Sequence, residues 1–320
     1  MRPTAALLVL LAVCVTAPAQ TYPVKPIRLV VGFAPGGAAD IVARTVGDPL
    51  GRVLGQSIII ENRPGAGSSM AAEWVAKAAP DGYTILIASP SSQTVNPVLL
   101  KHVGYNPEKD FAPISKITSS PLVVAANPGL PVRSIPDLIA EAKRSPGRLN
   151  FASSGNGSAP HLAAVLFSSV AGVEMVHVPF KGGAPAVQSV VAGDTQVTFA
   201  TPPTVLPMIL AGRLRGLAVT GRARSAVVPG LPGMEEAGLP GYDISFWYGL
   251  FAPAGTSAEV IRRLFDATAL VMQRPELRQS LARDGTEVST SRSPADFAAF
   301  LREEAKLWVR VVRESGAKSD

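Results

Sequence analysis

The sequence repeats a pattern in which a short apolar run enters a Gly/Ser-rich loop that is followed by a helical segment. The pattern occurs at residues 28–46, 149–167 and 174–191. A loop of this kind directs unpaired backbone N–H groups and a helix N-terminus toward one point, which favours the binding of an anion. The spacing therefore predicts a site, assembled from distant parts of the chain, that binds a small acid through the main chain.

Side chains that commonly perform catalysis or bind metals are scarce. The chain has 3 histidines, His102, His161 and His177, and their spacing matches no metal-binding motif. It contains no G-x-S-x-G elbow, no Walker motif and no complete dinucleotide-binding glycine motif. His161 follows a Gly/Ser-rich loop and is the histidine with a site hypothesis, although a structural hydrogen bond explains it equally well. The sequence thus favours binding over catalysis.

Several polar residues in these loops have both a ligand-binding and a structural interpretation. Asp40 lies in the first turn of a predicted helix, where capping is favoured over ligand contact because a carboxylate repels an anion. Ser154 and Ser158 offer hydroxyl groups either to a ligand or to the helix that follows. Asn156 suits a left-handed turn or a donor position, and Lys181 is either a second carboxylate contact or an ordinary exposed lysine.

The elements that position these loops form two α/β units. In the first unit, strands and helices alternate, which predicts a parallel sheet with right-handed crossovers. A second set of strands follows, then an extended aromatic run and a helical tail that we expect to pack on the first unit. The predicted strands lie at 27–33, 57–61, 83–89, 121–127, 149–152, 175–178, 196–200, 214–219 and 244–253, and the main helices at 38–54, 68–78, 135–145, 258–284 (interrupted at Pro275) and 294–314.

Ligands of doubly wound sheets bind beyond the carboxyl ends of the strands, where the strand order reverses. In each unit, a strand order of 2-1-3 places two small loops, polar or Gly-rich, at that point. They are residues 34–38 and 89–94 in the first unit, and 153–159 and 201–204 in the second. Any single loop is also explained by ordinary turn geometry. The matched loops in both units predict one ligand between two lobes, which the chain connects by crossing twice.

Composition and the N-terminus restrict the class of protein further. The chain of 320 residues is 47% hydrophobic and 17% charged, with a net charge of +6. Because its Lys and Arg residues are scattered, nucleic-acid binding is disfavoured. Arg2, the apolar run 5–15 and a small-residue site predict a signal peptide that is cleaved after Ala19. Cys14, the only cysteine, lies inside it; a lipoprotein is the alternative, disfavoured by the bulky Val13.

Several motifs together resemble those of the Bug family, the extracytoplasmic solute receptors of tripartite tricarboxylate transport systems, also called the TctC type. The motifs are RLVVGFAPGGAAD, ENRPGAGSS, PDGYTIL, LNFASSGNGSAPHLA, VHVPFKGGAPAV and WYGLFAPAGT. The resemblance implies a type II periplasmic-binding-protein-like α/β fold with a cleft between two doubly wound lobes joined by a two-crossing hinge. Lobe 1 would comprise residues 20–123 plus 248–320, and lobe 2 residues 124–247.

The resemblance also implies a carboxylate-bearing ligand, no cofactor or metal, a monomeric mature protein in the periplasm, and membrane transporter subunits or a sensor protein as partners. A periplasmic enzyme that uses His161 is the alternative function, and a module that binds a protein partner is a third. Carried to this chain, the implied ligand-binding residues are Phe33, Ala34, Gly36, Gly37, Asp40, Ser91, Ser92, Ser154, Gly155, Asn156, Gly157, Ser158, His161, Lys181, Gly182, Gly183 and Thr201.

One departure from the family concerns the start of the Pro-rich helix. Relatives often have Phe-Asp-Asn there, whereas this chain has Phe199, Ala200 and Thr201. If that aspartate binds an amino or hydroxyl group in relatives, this chain is expected to prefer a ligand without one. Trp247 and Tyr248 have two interpretations, at the mouth of the cleft or packed in the hinge, and packing is favoured.

Overall fold

The computed structural model describes residues 22–100 and 102–314, which form two α/β lobes. The predicted signal peptide, with Cys14 and the expected cleavage after Ala19, lies outside the described residues. Among the described residues, none of the helices combines the length and the apolarity that are needed to span a bilayer.

Lobe 1 is built on a 5-stranded sheet with the order β2-β1-β3-β10-β4. The first three of these strands are parallel, and β10 runs antiparallel to both β3 and β4. Buried aliphatic residues of β1 and β3 form the centre of the sheet, as expected for strands covered by helices on both faces. The strands are β1 (Ile27–Val31), β2 (Ile58–Asn62), β3 (Thr84–Ala88), β4 (Phe111–Pro121) and β10 (Ser245–Pro253).

Lobe 2 is built on a second 5-stranded sheet with the order β7-β6-β8-β5-β9. Strand β6 is parallel to β7 and β8, whereas β5 is antiparallel to β8 and β9. The innermost strands, β5 and β8, are buried along their whole length. The strands are β5 (Val123–Ala126), β6 (Asn150–Ser153), β7 (Val176–Pro179), β8 (Val197–Ala200) and β9 (Arg215–Val219).

The predicted parallel arrangement of the first three strands is confirmed, since β1 is parallel to β2 and β3, but each complete sheet is mixed. The antiparallel strands are β10 in lobe 1 and β5 in lobe 2, through which the chain passes between the lobes. Because no helical crossover comes directly before either strand, each runs opposite to its neighbours. Strand β4 was not predicted as a strand of its own. Its polar residues and the internal Pro113 obscure the pattern, although positions such as Ile114 and Ile117 are buried.

Helices cover both faces of the sheets. Helix α1 begins after Gly37, whose backbone is extended, and ends at Gly55 in the left-handed region, where glycine is favoured. The helices are α1 (Ala38–Leu54), α2 (Ser69–Ala76), α3 (Asn96–Leu99), α4 (Ile135–Arg144), α5 (Ala159–Ala171), α6 (Gly183–Ala192), α7 (Pro202–Leu210), α8 (Ala258–Met272), α9 (Pro275–Arg283) and α10 (Pro294–Glu314). A 3-10 turn covers Ala66–Ser68 and a π-helical turn covers Ser91–Val95.

The helical tail returns to lobe 1, and α10 packs on β4 and on the π-helical turn. The Glu304 carboxylate accepts hydrogen bonds from the indole nitrogens of Trp247 (2.9 Å) and Trp308 (3.0 Å). Both indoles are about 2% exposed, so this contact joins α10 to strand β10 in the interior. Trp247 therefore packs in the hinge region, as the sequence predicted.

The two passages between the lobes lie side by side. Strand β4 ends at Pro121 and β5 begins at Val123, while the returning strand β10 begins at Ser245. Ser245 pairs with Pro121, so the chain leaves and re-enters lobe 1 at the same end of the antiparallel pair β4 and β10. The observed hinge has two crossings; the lobe boundaries at residues 123 and 247 stay predictions.

Candidate functional site

A cavity of about 230 Å³ lies between the lobes, at the carboxyl ends of strands from both sheets. Lobe 1 contributes the end of β1 and the connection from β2 to α2. Lobe 2 contributes the loops that follow β6 and β7. The cavity is lined by Gly32, Phe33, Gly65, Ala66, Gly67, Ser68, Ser154, Gly155, Asn156, Pro179, Phe180 and Lys181.

The backbone around this cavity retains unused hydrogen-bond donors. Within residues 22–100 and 102–314, the amides of Gly32, Phe33, Ser154, Asn156 and Lys181 donate to no acceptor. Backbone amides in an enclosed place cost free energy unless they are paired with protein, water or ligand. Residues with unpaired N–H groups thus line this cavity from both lobes.

The amide that was expected at Gly36 is not available to a ligand, because the Asp40 carboxylate uses it. Asp40 accepts hydrogen bonds from the Gly36 amide (3.0 Å), the Asn62 amide group (3.0 Å) and Arg44 (2.9 Å). Its burial acts to raise the pKa of the carboxyl, but these hydrogen bonds outweigh burial and hold the pKa below its usual value. Asn62 also donates to the Phe33 carbonyl, so Asp40 and Asn62 together fix the loop after β1.

Two histidines make hydrogen bonds that fix the loop after β6. The Gly157 amide donates to Nδ1 of His161 (3.1 Å), and the Gly155 amide donates to the Ser153 hydroxyl (3.1 Å). Ser153 also lies 2.6 Å from Nε2 of His177. The two imidazole rings stack with their centroids 3.9 Å apart. Burial, together with the neighbouring His161, lowers the pKa of His177 to about 3, so this ring stays neutral.

The lobes contact each other directly around the cavity. The Ala34 amide donates to the Lys181 carbonyl (3.3 Å) and the Ala159 amide donates to the Ser91 hydroxyl (3.1 Å). Gly67 of lobe 1 packs so closely on lobe 2 that a Cβ atom there would lie 2.6 Å from the Asn156 carbonyl oxygen. This structure is therefore a closed arrangement of the two lobes.

A second, smaller pocket of about 20 Å³, which is enough for one water-sized group, adjoins the first. Phe33 and Ser154 line both. The small pocket lies at the first turns of α1 and α6, and Tyr248 forms part of its wall. The favoured interpretation of Tyr248 as a residue that only packs in the hinge was therefore incomplete.

The structure brings about half of the expected ligand-binding residues to these pockets. Those that line one or both are Phe33, Gly37, Ser154, Gly155, Asn156, Lys181, Gly183 and Thr201. The others line neither and instead shape the loops or join the lobes: Ala34, Gly36, Asp40, Ser91, Ser92, Gly157, Ser158, His161 and Gly182.

Three of these others, Ser91, Ser92 and Ser158, have hydroxyl groups in buried positions, and that of Ser91 accepts the hydrogen bond from the Ala159 amide. The Ser158 hydroxyl accepts a hydrogen bond from the amide of His161 and so caps α5. The Ser92 hydroxyl is buried and has no hydrogen-bond partner in the described part of the chain. Neither Ser92 nor Ser158 lines either of the two pockets, and their roles as ligand contacts stay predictions.

Sequence reasoning missed the connection from β2 to α2 as part of the site. The predicted ligand-binding loops were those at the point where the strand order reverses, and this connection is not one of them. Ala66 and Ser68 adopt positive φ values of 44° and 78°, which is uncommon for residues with a side chain. The signal that was available in the sequence is the position of Gly65 and Gly67 directly after a parallel strand.

Comparison with known proteins agrees with this geometry. Residues 42–317 match the model of the "Tripartite tricarboxylate transporter family receptor". The chain is 36% identical over 301 residues to the protein BugT of Bordetella pertussis, covering 94% of this chain and 92% of that protein.

Solved structures resemble this chain to a similar degree. An R. palustris protein, Rpa4515, solved with adipate superposes with a TM-score of 0.90 at 34% identity, covering 93% of this chain and 99% of that one. MatC from Rhodopseudomonas palustris, solved with bound malate, gives a TM-score of 0.86 at 32% identity, covering 91% and 100%. From the matched family model and these relatives, we conclude that the chain belongs to the receptor family of tripartite tricarboxylate transporters.

Proposed function

We propose that this protein is a periplasmic receptor that captures a small carboxylate-bearing solute between its lobes and delivers it to a membrane transporter or a sensor. The observation that carries the proposal is the set of unpaired amides from both lobes around one cavity of about 230 Å³. A hydrogen bond from an amide to a charged group contributes about 1.5–3 kcal/mol, so a few such donors account for useful affinity. The relatives solved with adipate and malate support an organic acid as the class of ligand.

The charges around the pockets favour an acid that carries no ammonium group. Among the described residues that line the two pockets, Lys181 is the only charged side chain. An ammonium group buried there would have no carboxylate partner, and an unpaired buried charge is costly. Ala200, which stands where relatives often carry aspartate, lines the small pocket and supplies no charge.

Binding is favoured over the alternative of an enzyme that uses His161. Nδ1 of His161 accepts a hydrogen bond from the Gly157 amide, and its ring stacks on that of His177. Ser153, which pairs with His177, is fully buried. An acid–base role requires a group within hydrogen-bond reach of the substrate, and neither histidine lines the cavity.

The experiment is to express the full chain in a Gram-negative host and purify the protein from the periplasmic fraction. Native mass spectrometry then weighs any acid that co-purifies, and calorimetry measures the binding of adipate, succinate, malate and aspartate. A saturating acid at about 100 times its Kd is expected to stabilise the fold by about 2.7 kcal/mol. Aspartate serves as the comparison with an ammonium group and is expected to bind more weakly than succinate.

Two results would contradict the proposal. If no organic acid co-purifies and none raises the thermal midpoint, the receptor function is wrong. If aspartate binds more tightly than succinate, the inference from the charges is wrong while the receptor function stands. Periplasmic recovery with Gln20 at the N-terminus tests the predicted signal peptide separately.

A further inference from the structure

Tyr248 is a buried tyrosine whose hydroxyl group is unpaired among the described residues. The residue is 6% exposed and lines the small pocket beside Phe246, and its hydroxyl makes no hydrogen bond within residues 22–100 and 102–314. The hydroxyl of Tyr242, another buried tyrosine, donates to the Ala163 carbonyl at 2.7 Å. Because buried hydroxyl groups are nearly always paired, the unused donor of Tyr248 requires an explanation.

The pocket that Tyr248 lines is suited to an electron-rich group. The first turns of α1 and α6 border it through Ala38, Ala39 and Gly183. The amides in the first turn of a helix have no intrahelical acceptor, and no other acceptor in the described part of the chain uses those of these three residues. The positive ends of both helix dipoles therefore favour an oxygen with negative charge at the same place.

The dimensions of the pocket restrict what enters it. Its volume of about 20 Å³ accepts one water-sized group, such as a carboxylate or carbonyl oxygen, and excludes a ring or an alkyl chain. Phe33 and Ser154 also line the larger cavity, so one ligand with its first carboxylate among the loop amides reaches the small pocket with its other end.

We propose that Tyr248 is a specificity-determining residue that donates its hydroxyl hydrogen to an oxygen of a second polar group on the bound acid. This inference rests on the proposed receptor function. Burial raises the pKa of the Tyr248 hydroxyl above its ordinary value, which keeps the group protonated as a donor. The same residue belongs to strand β10, so the contact connects the far end of the ligand to the hinge.

The test compares wild type with Tyr248→Phe, which keeps the ring and removes only the donor. Calorimetry measures each diacid from malonate to adipate beside the monoacid of equal chain length, such as hexanoate beside adipate. Tyr248→Phe is expected to weaken the diacids that wild type binds by roughly 10- to 100-fold, and the monoacids by less than about 2-fold. Tyr242→Phe is the matched control, because it removes a buried hydroxyl that does not line the pocket, and diacid affinity should be unchanged.

Four results overturn the inference. Diacid affinity that is the same in Tyr248→Phe and wild type shows that the hydroxyl makes no contact. Equal weakening of diacids and monoacids shows a packing role instead. Tight binding of monoacids alone by wild type shows that no second polar group is recognised, while the receptor function remains. Failure of wild type to bind any acid refutes the receptor function itself and with it the inference.

Discussion

The amide of Ala159 in lobe 2 donates a 3.1 Å hydrogen bond to the hydroxyl of Ser91 in lobe 1. Ala159 is the first residue of α5, where an amide has no intrahelical acceptor, and Ser91 begins the π-helical turn after β3. Both residues are fully buried. A side chain of one lobe thus caps a helix of the other, and this bond is possible only while the lobes are together.

Ser91→Ala is therefore expected to destabilise the closed form and to weaken acid binding by roughly 2- to 10-fold, the effect of one neutral hydrogen bond. Ser89→Ala is the matched control, since the Ser89 hydroxyl is equally buried but has no hydrogen-bond partner in the described part of the chain. Calorimetry on both variants checks the prediction. Equal affinity of Ser91→Ala and wild type would show that the cross-lobe bond does not support closure.

Gly67→Ala is expected to block closure. A Cβ atom there would lie 2.6 Å from the carbonyl oxygen of Asn156, which belongs to the other lobe. Overpacking of this kind costs about 1–3 kcal/mol, so the affinity for the acid should fall by roughly 10- to 100-fold.

Gly147→Ala is the control for this variant, because Gly147 has a φ of +69° against +58° for Gly67 but no atom within 4 Å of the added Cβ. Both variants should lose stability through backbone strain, and only Gly67→Ala should lose affinity. Small-angle scattering is expected to show a larger radius of gyration for Gly67→Ala in the presence of the acid. Normal affinity of Gly67→Ala would contradict the role of this contact.

Asp40→Asn tests how the first loop is held. The substitution removes the charge that accepts hydrogen bonds from Gly36, Asn62 and Arg44 at a site that is 3% exposed. The free energy of unfolding is expected to fall by about 1–3 kcal/mol, and acid binding should weaken because the loop after β1 loses its support. Urea unfolding and calorimetry measure the two effects.

Asp137→Asn provides the comparison, since Asp137 is an exposed carboxylate in the first turn of α4 and lines neither pocket. Acid affinity should be unchanged in that variant. Unchanged affinity in Asp40→Asn as well would show that the loop keeps its shape without the carboxylate.

The stability of the protein is expected to depend on pH through His177. Burial and the neighbouring His161 lower its pKa in the folded state to about 3, from an ordinary value of 6.5. Between these values the unfolded chain binds a proton that the folded chain does not, so stability falls as the pH is lowered from about 6.5 toward 3. Urea unfolding of wild type and His177→Asn at several pH values in this window checks this. A smaller slope is expected for the variant, and an identical slope would contradict it.

Much of the fold followed from local patterns in the sequence. The bounds of α1 and α10 match the predicted 38–54 and 294–314, because each helix has clear end signals and a continuous apolar face. The Gly/Ser-rich loops at Phe33, Ser154 and Lys181 were also found, since a strand followed by a loop and a helix determines where the loop lies. The mixed direction of the sheets was not predicted, because it depends on where the chain passes between lobes.

Whether each loop amide is hydrogen-bonded could not be predicted from the sequence. Gly36 and Ser154 both occupy Gly/Ser-rich loops, yet the Gly36 amide is used by Asp40 while the Ser154 amide is unpaired within residues 22–100 and 102–314. Whether a loop amide is paired or unpaired depends on side-chain contacts that form only in the folded chain. The pocket position of Tyr248 depends likewise on the place of β10 between β3 and β4 in the sheet of lobe 1.

Donors that belong to the main chain are present whatever amino acid occupies the position. Replacing Ser154 or Asn156 by alanine leaves the peptide N–H in place, so an alanine scan would underestimate the importance of the loops that line the 230 Å³ cavity. The capacity to hold one carboxylate is consequently robust to point mutation. Divergence toward new nutrients is then confined to the few wall residues whose side chains set size and polarity, Phe33 and Thr201 among them.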